Sequence, residues 1–134
     1  RIELQALALP NAKTFLHLTY SYAMGFAARL AMQTYLSTVG SSKVGFTITG
    51  RQANGQPDYI GGVRGVVERN AMRYYLAIDS YLGAASAAPA KQLDKRLQAW
   101  FTAVEQYPRQ LHEVDREPYL KMKRAEYARQ QTVR

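Results

Sequence analysis

Apolar positions recur along most of this chain at the spacing of one helix face, and a single stretch alternates instead. From Asn11 to Val39 the pattern predicts one long helix of about 42 Å. Asn11 would accept a first-turn N–H, and Gly40 would close the far end in the left-handed conformation. Phe15, Leu18, Tyr22, Phe26, Leu30 and Leu36 supply bulk, while Ala23, Ala27 and Ala31 form a small-residue stripe suited to close approach of another backbone. The alternating stretch follows: Val44, Phe46 and Ile48 take turns with Gly45, Thr47 and Thr49, Asn54-Gly55 marks a turn, and residues 59–63 form a short return strand. Residues 64–82 then read as a helix burying Val67, Ala71, Tyr74, Ile78 and Tyr81. A break at residues 83–89 leads to a helix with Leu93, Leu97, Trp100, Phe101 and Val104 on one face, stopping before Pro108. A short helix and a last one after Asp115 complete the chain. The fold class expected is mainly α: a helical bundle of four to five helices with one inserted β-hairpin at about residues 43–63.

Composition narrows this picture to an ordinary globular domain. With 134 residues, 47% apolar and 21% charged, the chain can form one core and falls outside the disordered class. It is expected to be a single domain and a processed or excised portion of a larger protein, because it opens on Arg1; an exported domain and an excised one both fit. The net charge of +8 is weighted to the tail after Asp115, where Arg116, Lys121, Lys123, Arg124, Arg129 and Arg134 face only Glu117 and Glu126. That segment reads as a peripheral basic helix. No cysteine is present, which removes thiol and disulfide chemistry. Residues 14–39 are apolar enough to test as a membrane span, but His17, Arg29 and Gln33 interrupt them, so no transmembrane segment is expected.

Candidate chemistry collects where the hairpin meets the helix. Gly61-Gly62-Val63-Arg64-Gly65 has the shape of an anion-binding turn, since glycines admit a ligand to the backbone and N–H groups at a helix start point outward. It matches neither the P-loop nor the dinucleotide fingerprint. Arg69 and Arg73 lie four apart, a like-charge spacing that calls for something negative nearby, with Glu105, Glu113 and Asp115 as candidate acids on other elements. The leading expectation is a non-enzymatic interaction or ligand-sensing domain. Gly62, Arg64, Arg69 and Arg73 would contact an anionic group, and Tyr74 or Tyr75 would stack on the ligand or bond to it. The partner would be a protein or a small anionic ligand, with a homodimer through Ala23, Ala27 and Ala31 as one form of assembly. A basic nucleic-acid-associated module using the C-terminal helix is the first alternative. An enzyme using His17 with neighbouring tyrosines as acid–base groups is the second. The two histidines lack paired carboxylates at i, i+3 or i+4 on a shared face, so no metal and no cofactor is expected.

Overall fold

The computed structural model describes residues 1–21 and 23–132, so Tyr22 and Arg134 of the sequence reading lie outside the described residues. They fall into two compact units, Arg1–Met72 and Arg73–Arg134. The mainly α bundle with one hairpin is corrected: among the described residues five helices accompany two separate antiparallel hairpins, a mixed α/β arrangement.

The difference arises at the beginning of the chain. Strands β1 (Ile2–Leu9) and β2 (Lys13–Tyr20) pair in unbroken register from Ile2 opposite Tyr20 to Leu9 opposite Lys13. Asn11 and Ala12 have φ of 64° and 55°, and two consecutive left-handed residues reverse the chain where a helix was expected to start. Alternation then sorts the side chains. Ile2, Leu4, Ala6, Ala8, Leu16, Leu18 and Tyr20 share one face, and Glu3, Gln5, Lys13, His17 and Thr19 lie on the other with Leu7, Leu9 and Phe15. Only the later part of the expected long helix is helical, as α1 (Phe26–Ser37). Ala23 precedes it, so Ala27 and Ala31 alone remain of the alanine stripe.

Hydroxyl groups end α1. Thr34 donates back to the Leu30 carbonyl at 3.1 Å, and Ser37 and Thr38 both donate to the Thr34 carbonyl, at 3.0 and 2.7 Å. Gly40 is buried without a left-handed φ, so it is not the expected helix cap; a Cβ there would collide with the Tyr35 ring.

The second hairpin is shorter than expected: β3 (Ile48–Arg51) pairs with β4 (Pro57–Tyr59), with an irregularity between Ile48 and Gly50. Residues 43–47 are not strand. They are held instead against α2 (Gly62–Gly83), which opens on Gly62 at φ 61°. Gly45 and Gly65 make that approach possible, because a Cβ on Gly45 would lie 2.9 Å from the Gly65 Cα. The buried positions of α2 are Gly65, Arg69, Leu76, Ser80 and Ala84 just beyond it, whereas Tyr74 and Tyr81, expected to be buried, are exposed.

In the second unit Pro89 opens α3 (Pro89–Val104), and Gln92 donates to the Ala87 carbonyl to hold the preceding loop. A single turn, α4 (Pro108–Leu111), precedes α5 (Arg116–Thr132). Phe101, Tyr119 and Leu120 form the core with Leu97 and Trp100 packed on it. Among the described residues no helix is long and apolar enough to cross a membrane.

Candidate functional site

The second unit contains a cleft of about 410 Å³ between the C-terminal part of α2, α3 and α5. Helical spacing explains its lining. Tyr74, Ala77 and Tyr81 project from successive turns of α2, Arg96 and Trp100 from α3 and Tyr119 and Lys123 from α5 each stand four apart, and Ala77 leaves the space that a larger side chain would fill. Trp100 stacks on Tyr119 with ring centroids 5.1 Å apart, and its indole N–H donates to the Arg73 carbonyl at 3.3 Å. The wall is therefore fixed from three elements at once.

Three cations line the cleft and their partners differ. Arg73 donates to Glu113 at 2.6 Å, so one of the candidate acids named by the sequence is its partner. Lys123 pairs with Glu126 at 2.8 Å. Arg96 has no ion pair among the described residues. Its guanidinium lies 3.7 Å from the centroid of the Tyr81 ring, one Nη donates to Gln92 Oε1 at 2.8 Å, and its buried Nε has no hydrogen-bond partner. No carboxylate lines the cleft among the described residues. Burial, then the negative charge of Glu126, pushes the Tyr119 hydroxyl up to about 12, so this tyrosine is a neutral donor through the physiological range.

The first unit holds the other part of the predicted site. Glu68 Oε2 accepts the N–H groups of Phe46 and Thr47 at 2.7 and 2.8 Å, and Oε1 accepts the Thr47 hydroxyl at 2.6 Å and Arg64 Nε at 3.0 Å. Burial alone would raise this carboxyl; the bonds from Thr47, Phe46 and Arg64 outweigh it and hold the pKa at about 2. An internal carboxylate thus occupies the donor cluster beside the glycine turn. Arg64 is committed to it, and Gly62 makes the turn. Arg69 is buried and donates to the Val44 carbonyl and the Tyr35 hydroxyl.

Of the predicted ligand contacts, Arg73 and Tyr74 line the cleft and Tyr75 is exposed outside its lining. Arg96, Trp100, Tyr119 and Lys123 were not anticipated as site residues. Trp100 reads as core from its spacing, and only the arginine one turn before it on the same helix face could have marked it. His17 sits in β2 opposite Gln5, and Tyr20 projects from the other face of the ribbon, so these two members of the supposed acid–base group are separated. Two further cations of the C-terminal helix have partners on α3: Arg124 pairs with Asp94, and Arg116 donates to the Thr102 hydroxyl and lies over Phe101. Comparison with known proteins returned no matching family model, no matching curated relative and no matching solved structure.

Proposed function

We propose that this protein is a non-enzymatic ligand-binding domain whose cleft between α2, α3 and α5 takes a small aromatic molecule bearing an anionic group. The observation that carries the reading is Arg96: a guanidinium without an acid, with one N–H unpartnered, in a cleft lined by Tyr74, Tyr81, Trp100 and Tyr119. Aromatic walls favour a flat ligand, and a cation of low hydration that can bond through two N–H groups favours a carboxylate or phosphate. The volume falls within the range of small-molecule sites, about 300–1,000 Å³.

Binding to the native state raises the melting midpoint. Benzoate is therefore expected to raise the midpoint of the wild-type protein more than pentanoate does, at low and at physiological salt, and Arg96→Met is expected to abolish the difference. Equal shifts from both acids, or a benzoate shift that survives Arg96→Met, would overturn the assignment. A shift produced only by an oligonucleotide, and steeply lost with salt, would favour the nucleic-acid reading instead.

A further inference from the structure

The first unit holds another guanidinium whose charge is unanswered. Arg69 is 2% exposed and its Nε has no hydrogen-bond partner. Its two bonds are long and go to neutral acceptors, the Val44 carbonyl and the Tyr35 hydroxyl, each at 3.4 Å. Among the described residues it makes no ion pair, and Glu68, its chain neighbour, is taken by the four donors described above. A buried charge is ordinarily paired, since dipoles at such distances replace little of the lost hydration. Removing the charge by deprotonation is closed to arginine.

The surroundings of Arg69 indicate what the missing partner is. Tyr35, in the last turn of α1, and Val44 flank the turn 38–43, so Arg69 bonds to both sides of a loop that carries Gly40, Ser41 and Ser42. Within that loop Ser41 N–H donates to the Thr38 carbonyl and Lys43 N–H to the Gly40 carbonyl, both at 3.1 Å. Beyond it, Glu68 fixes residues 46 and 47 on the helix. Because the Tyr35 oxygen accepts from Arg69, its own O–H remains available to donate.

We propose that Arg69 is the floor of an oxyanion subsite roofed by the turn 38–43, in which a phosphate or carboxylate group accepts from Nε–H and an Nη–H of Arg69 and from the Tyr35 hydroxyl. This site lies in the first unit and does not depend on the cleft of the second. Planar, two-pronged donation is the geometry in which arginine outperforms lysine for such groups.

The test is calorimetric titration of the whole chain with inorganic phosphate and, separately, acetate, in chloride at fixed ionic strength. One site is expected for at least one of the two anions, and which anion binds identifies the group. Arg69→Lys, which keeps the charge and loses the fork, is expected to weaken that binding by at least about tenfold, and Tyr35→Phe to weaken it measurably. In parallel, Arg69→Met is expected to melt higher than wild type in chloride and lower than wild type in saturating anion. The proposal fails if neither anion binds the wild-type protein, if Arg96→Met and not Tyr35→Phe or Arg69→Lys removes the binding, or if Arg69→Met is destabilised equally with and without anion. The last result would make Arg69 a structural tie. Should Arg69→Met not fold, the wild-type, Arg69→Lys and Tyr35→Phe titrations still decide.

Discussion

Replacing Glu68 by glutamine removes one charge and almost no volume, and the surrounding donors set the cost. The carboxyl falls from an ordinary 4.5 to about 2, burial being outweighed by the Thr47 hydroxyl, the Thr47 and Phe46 N–H groups and Arg64. A folded value below the unfolded one means that the carboxylate contributes its full stabilisation above about pH 4.5 and loses it as the pH falls toward 2. At about 1.4 kcal/mol per unit the depression corresponds to on the order of 3 kcal/mol. The Glu68 side chain retains 20% of its exposure, so screening by solvent reduces the expected loss to about 2 kcal/mol at neutral pH. Glutamine can still accept from one pair of donors, but its NH₂ then faces the other pair.

Urea unfolding of wild type and Glu68→Gln at a series of pH values measures the gap directly, and amide exchange at Phe46 and Thr47 reports it locally. The difference between the two proteins cancels what Asp94 and Glu126 contribute, whose carboxyls are also lowered, by hydrogen bonds from Arg124 and Lys123 respectively. The gap is expected to be about 2 kcal/mol near pH 7 and to close toward pH 2. A gap below about 0.5 kcal/mol at neutral pH, or one of constant size down to pH 3, would refute the reasoning.

Two further substitutions probe the backbone. Gly45→Ala places a Cβ 2.6 Å from Glu68 Oε2 and 2.9 Å from both the Gly65 Cα and the Ile60 Cγ2, and should destabilise by about 1–3 kcal/mol, whereas Gly61→Ala meets nothing within 4 Å and should stay within about 0.5 kcal/mol in the same urea unfolding experiment. Ala12→Gly relieves about 1–2 kcal/mol of left-handed strain against about 0.4–1 kcal/mol of added unfolded-state entropy, so amide exchange in the β1–β2 ribbon should slow; faster exchange would show that the turn conformation is not limiting.

The elements after residue 43 were the more legible ones, because each carried its own punctuation: Asn54-Gly55 in the hairpin, Pro89 opening α3, Pro108 after it. The first hairpin was hidden for a physical reason. Glu, Leu, Gln and Ala in β1 are good helix formers, and in β2 Phe15 stands between Leu16 and Leu18, so apolar residues occur on both faces and blur the period of two. What decided the structure was register over eight paired positions and a turn that needs Asn11 and Ala12 in the left-handed region, which no single residue announces. The candidate site was half legible. Arg73 and Tyr74 were nominated and line the cleft, but Arg96 and Lys123 acquire meaning only when α3 and α5 bring them beside Trp100 and Tyr119. Arg69 was nominated for its spacing to Arg73; its burial without a carboxylate is a tertiary fact.

The most direct test of the cleft as a binding site uses its own reporter. Trp100 is the chain's one tryptophan and lies in the wall, stacked on Tyr119, so its emission should change saturably as benzoate is added. The expected result is a single-site isotherm for wild type, lost in Arg96→Met and absent with pentanoate. Unchanged Trp100 emission at benzoate concentrations that raise the melting midpoint would place the ligand elsewhere and contradict the account.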